Sequence, residues 1–136
     1  MDIKEVAMIS AQWWAKQLFK PSNWDGGPGN EKVEGIVNNL KDMLSQPVSC
    51  DQEQLFVDKL IELIEEEVNY RKAQKTQITI DLISDYGPSG ILEEAAEYAG
   101  IDRFTFPFKT RLTISDWDND IKAGPMGQTE VIWTAA

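Results

Sequence analysis

Apolar residues recur every three or four positions through the first half of the chain, and at every second position through much of the remainder. The change of period falls near residue 76, so helices are expected before it and mainly strands after it. Asp2 followed by Glu5 forms an acidic capping box. Ile3, Val6, Ile9, Trp13, Trp14 and Leu18 then mark a first helix over about residues 3–19, with Ala7, Ala11 and Ala15 small enough to let a neighbouring element approach. Two prolines and three glycines between Lys20 and Asn30 forbid its continuation and predict a loop anchored by Trp24.

Asn30 can cap a second helix that carries Val33, Ile36, Val37, Leu40, Met43 and Leu44 on one face and stops at Pro47. Ser49 or Asp51 starts a third, with Val57, Leu60, Ile61, Ile64 and Val68 at the same spacing. Phe56 and Leu63 widen its stripe, and Glu53, Asp58, Glu62, Glu65 and Glu66 form its outer face.

Ile78, Ile80 and Leu82 alternate with Thr79 and Asp81, which predicts a half-buried strand over about residues 76–83. Residues Asp85 to Gly90 turn the chain, with Ser84 or Ser89 available as a cap. Ile91 to Ala99 is a short helix with Gly100 placed to end it in left-handed geometry, and Ile101 just beyond can make the accompanying apolar contact. Phe104, Phe106 and Phe108 alternate in a strand-like run that Pro107 confines to a sheet edge or bend. Leu112 and Ile114 mark a second secure strand, Asp116 to Asp120 a turn, Ile121 to Ala123 a brief return, and Thr129 to Thr134 the last strand.

The expected fold is therefore α+β: three N-terminal helices packed on a small mixed sheet of three to four strands, with one short crossover helix in the order β-α-β-β-β. That crossover is right-handed if its strands are parallel. With 136 residues and no internal repeat or linker, the chain is one domain, comprising a helical half over 1–75 and a sheet half over 76–136.

Composition narrows the chemistry. The net charge is −10, and residues 76–136 alone hold ten acidic and four basic residues, so nucleic acid and anionic membranes are repelled. There is no histidine, which removes serine triads, Cys-His dyads and imidazole-ligated zinc. The lone Cys50 cannot form an internal disulfide, and with Asp51 and Glu53 beside it a structural thiol is favoured over a nucleophile. Met1-Asp2-Ile3-Lys4-Glu5 lacks the pattern of a secretory signal, and no apolar run is long enough to span a bilayer, so a cytoplasmic setting is expected.

Several motifs fall short. The loop Asp25-Gly26-Gly27-Pro28-Gly29-Asn30 precedes a helix, yet lacks a Gly-Lys-Ser/Thr ending and has Glu31 where an anion would sit. Asp116, Asp118 and Asp120 are spaced like the opening ligands of a calcium loop, but Ile121 stands where that loop needs Gly and Gly127 where it needs Glu.

The segment from Asp85 to Gly90 holds more promise, because the end of a strand feeding a helix is where open α/β sheets place ligands. Asp85, Tyr86 and Ser89 can line a site there. Lys109 and Arg111, two apart on one expected strand face, could grip an anion, with Arg103 nearby in sequence; pairing with the surrounding acids is the plainer alternative.

The residues favour a non-catalytic regulatory or accessory protein, of a type compatible with bacteria or phage. It would act through its acidic surface or sheet edge on a protein partner, a basic one by charge, or on a second copy as a homodimer. One alternative is a binder of an anionic small molecule at Asp85, Tyr86, Ser89, Lys109 and Arg111. Another is an enzyme confined to carboxylate and tyrosine acid-base chemistry through Asp81 or Asp85 beside Tyr86. No catalytic residue, metal or cofactor is assigned.

Overall fold

The computed structural model describes residues 2–18, 48–75 and 77–135. The loop expected at 20–30 with Trp24, its glycine-rich stretch and the helix expected from 33 to 44 lie outside them. Among the described residues three helices and four strands follow in the order α1 (Ile3–Leu18), α2 (Cys50–Ala73), β1 (Thr79–Ser84), α3 (Gly90–Ala99), β2 (Thr110–Ser115), β3 (Asp120–Pro125) and β4 (Glu130–Thr134). A 3-10 turn at Arg103–Thr105 separates α3 from β2. The class is α+β.

Helix ends form where the side chains supply caps. Asp2 accepts the Lys4 N–H at 3.0 Å. Ser49 and Gln52 make a reciprocal capping box, each accepting the other's backbone N–H at 3.1 Å. The Gln52 amide then donates to the Gly100 carbonyl at 2.9 Å, so one residue finishes the start of α2 and the end of α3. Gly100 adopts φ 69°, as expected for a residue ending a helix in left-handed geometry, and the buried Ile101 donates its N–H to Ala96 at 2.9 Å.

The sheet has strand order β1-β2-β3-β4 and is antiparallel throughout, not mixed. The expected parallel crossover does not form, because the connection returns to the end of β1 that it left: α3 is about 15 Å long, and residues 101–109, which can span up to about 30 Å, are long enough to bring the chain back. Thr110 therefore starts opposite Ser84. The run Phe104 to Phe108 is that return path, a 3-10 turn followed by bends and no strand. Burial decides its shape: Phe106 and Phe108 are both buried, and Phe106 meets Phe56 of α2 at 5.7 Å and Trp14 of α1 at 6.3 Å between ring centroids.

One face of the sheet is core. Ile80, Ile114, Ile121 and Trp133 form one cross-strand row, and Leu82, Leu112 and Ala123 another. These side chains pack with Val6, Ala11 and Trp14 of α1, Phe56, Leu60 and Ile64 of α2, and Leu92, Ala95 and Ala96 of α3. Each fully buried large side chain contributes about 1.5–3 kcal/mol. The opposite face carries Asp81, Thr113, Lys122 and Val131 in one row.

Candidate functional site

The residues singled out near Tyr86 divide between two places. At the end of β1 the turn Asp85-Tyr86-Gly87-Pro88 closes through an Asp85 N–H to Gly87 carbonyl bond of 3.2 Å and a bridge between Ser84 and Pro88. Ser89 stands at the N-cap position of α3, but its side chain makes no cap bond to the helix. The Ser84 hydroxyl donates to the Pro107 carbonyl at 2.7 Å, and the Ser89 hydroxyl donates to Ile83 at 3.2 Å. Ser84 thus ties the end of β1 to Pro107 and Ser89 ties the helix start back to Ile83.

Lys109 joins this turn. It is not part of β2, so the strand alternation that would align it with Arg111 does not reach it. Its φ is 50°, a left-handed conformation that costs a non-glycine residue about 1–2 kcal/mol. Two short bonds hold it there: its N–H donates to the Asp85 carbonyl at 2.7 Å, and its carbonyl accepts the Met126 N–H at 2.8 Å. Its ammonium lies 5.7 Å from the centre of the Tyr86 ring, which also meets Phe108 edge-on at 5.5 Å. Arg103 completes the corner. A Cβ on Gly87 would sit 2.8 Å from its guanidinium, so only glycine permits that approach.

Arg111 points to the outer face of the sheet and is engaged. Its Nε and terminal nitrogen both donate to one Asp81 oxygen, at 3.0 and 2.8 Å, and the Thr113 hydroxyl donates to the same oxygen at 2.6 Å. The partial burial of Asp81 raises its pKa. That rise is outweighed by the bonds from Thr113 and Arg111 and by the positive charges of Arg111 and Arg71, so the carboxyl lies below its ordinary value of 3.8. A carboxylate held in its charged form is the opposite of what general-acid chemistry at neutral pH requires.

Asp116, Asp118 and Asp120 serve the β2–β3 turn. The Ser115 hydroxyl accepts the Asp118 N–H at 3.2 Å, Asn119 takes φ 52°, and Lys122 sits 3.5 Å from Asp118 and 3.8 Å from Asp120. Asp116 and Asp118 are exposed while Asp120 is buried, so the three carboxylates do not converge. Among the described residues no group of three His, Cys, Asp or Glu side chains is placed to hold a metal ion. At the tip of this turn Trp117 is 77% exposed. Cys50 is exposed at the first position of α2.

The last strand forms where sequence reasoning placed it, as β4, but its irregular pairing was missed. Its pairing with β3 slips by one residue at Ile121/Lys122, so Trp133 lies opposite Ile121 and Val131 opposite Lys122, leaving Ile132 as the extra residue of a bulge. Trp133 stays on the core face, while Val131 is 50% and Ile132 37% exposed. A signal existed: Val131, Ile132 and Trp133 are three consecutive apolar residues, and strict alternation cannot bury all three on one face. Among the described residues β4 pairs only with β3.

No helix of the described residues is long and apolar enough to cross a membrane. No known protein family and no curated protein matches the chain.

Proposed function

We propose that the chain is a non-catalytic interaction protein that receives a partner protein along the edge of its sheet at β4. The observation that carries this is the bulge, which leaves two adjacent apolar side chains, Val131 and Ile132, exposed on a strand that among the described residues is paired on one side only. Natural edge strands commonly hold a charge, often lysine, at such positions to repel intruding strands. Here Val131 to Thr134 contains none.

The deciding experiment is capture from a source lysate with wild type and Ile132→Lys, followed by direct binding of each recovered protein in purified form. Partners bound by wild type and lost with Ile132→Lys support the proposal. Partners recovered equally with both overturn it.

A second reading, an anionic small-molecule site, has one observation in its favour: the turn at Tyr86 and Gly87 is flanked by two cations, Lys109 against the ring and Arg103 against the glycine. Arg103 takes the place foreseen for Arg111. A thermal-shift screen against nucleotides and organic acids tests it, and stabilisation that persists in Lys109→Ala argues against it.

A further inference from the structure

We infer that the segment received by β4 is an extended stretch of a partner protein flanked on both sides by lysine or arginine; this rests on the proposed edge docking and adds the partner's chemistry to it. The inference comes from where charge lies along the strand. Glu130 opens β4 and is exposed. At the other end Thr134 lies opposite Asp120, and the Ala135 N–H bonds the Asn119 carbonyl at 2.9 Å, which fastens that end to the turn bearing exposed Asp116 and Asp118. Glu5 of α1 accepts the Trp133 indole N–H at 3.4 Å and adds another acid there. The nearby cation, Lys122, is opposite Val131 and is held by Asp118 and Asp120.

The edge therefore reads acidic, apolar, apolar, acidic over a strand of five residues, about 17 Å long. An added strand forms its main-chain bonds whatever its sequence, so side chains decide which strand is accepted. Apolar residues at its centre cover Val131 and Ile132. Basic residues about four to six positions apart reach the acids at both ends.

A second copy fits worse. Antiparallel pairing of β4 with itself brings Glu130 of each copy to the acidic turn of the other, so like charges meet at both ends between chains that each carry −10. Nucleic acid is excluded by the same acids.

The test uses the full chain and labelled peptides in fluorescence anisotropy at about 50 and 500 mM salt. One peptide is Lys-Thr-Val-Thr-Val-Thr-Lys, the second has Glu at both ends, and the third has the basic ends with proline replacing the central threonine. The expected result is that the lysine peptide binds about tenfold or more tighter than the glutamate peptide, weakens at high salt, and is lost with proline. Ile132→Lys and the milder Val131→Thr, each shown to unfold at the wild-type temperature, should weaken it too. Equal binding of the lysine and glutamate peptides, lost in Ile132→Lys, overturns the charge inference while leaving edge docking in place. Lysine-peptide binding unchanged in Ile132→Lys, or no binding of any peptide up to about 1 mM, overturns the edge itself. A dimer in sedimentation that Ile132→Lys abolishes makes a second copy the occupant and overturns the inference.

Discussion

The contact between Phe106 and Phe56 ties the irregular return segment to the helices, and its strength can be measured. Phe106 is fully buried, its ring 5.7 Å from that of Phe56 at an interplanar angle of 62°. Phe106→Ala should cost about 3–5 kcal/mol, a large part of the roughly 5–15 kcal/mol available to a domain, so truncation risks unfolding the protein outright. Leucine at both positions keeps the site apolar and removes the ring pair. In a double-mutant cycle of Phe56→Leu and Phe106→Leu, the edge-to-face geometry predicts a coupling of about 0.5–1.5 kcal/mol beyond the two single losses. Urea unfolding followed by circular dichroism supplies the four free energies, and independent sites add to within about 0.3–0.5 kcal/mol, so the upper half of that range is resolvable. Additivity within this margin would refute a coupling in the upper half of that range and with it a strong edge-to-face contribution to the docking of the return segment on α2.

Asp81→Asn should lower stability at neutral pH by about 0.5–1 kcal/mol, a small figure because Asp81 and Arg111 side chains are 33% and 44% exposed. The folded pKa of Asp81 is depressed, so its contribution is complete above the unfolded value of about 3.9 and fades as pH falls through the folded one. Urea titrations at neutral pH and near pH 3 should therefore show the gap between wild type and variant closing in acid, and a gap that widens there contradicts the ion pair. Gly100→Ala meets only the Gln52 amide, at an ordinary 3.7 Å, so its cost is conformational, about 1 kcal/mol or about 4 °C in Tm; an unchanged Tm would refute the left-handed end of α3. Trp117→Ala should leave stability within about 0.5 kcal/mol of wild type while lowering the acrylamide-quenchable fluorescence, since among the other described tryptophans Trp14 is fully buried and Trp13 and Trp133 partly so. Unchanged quenching would place the indole elsewhere.

Local rules carried far along this chain. The caps at Asp2, Ser49 and Gly100 and the buried alternation of Ile78, Ile80 and Leu82 depend on residues within a few positions of one another, and they appear where periodicity places them. Strand direction is different, because it depends on how the chain travels between strands. The β-α-β order suits a parallel pair as well as an antiparallel one. Only the irregular return through residues 101–109 decides between them, and three alternating phenylalanines disguised that return as a strand.

The same limit governs the candidate site. That Arg111 would find an acid could be anticipated from the abundance of carboxylates, but which one follows from the β1–β2 register: Asp81 stands opposite Thr113, two residues along from the pair of Ile83 and Arg111 and so on the same face, and both donors reach one oxygen. Lys109 left the strand because a left-handed residue there lets the chain bond Asp85 on one side and Met126 on the other, a tertiary gain that outweighs a local strain. The edge strand shows the converse. Three adjacent apolar residues in a sheet cannot all be buried by alternation, and the chain resolves the conflict with a bulge that exposes two of them. Under the proposed edge docking, Val131 and Ile132 are the apolar surface that an added strand would cover.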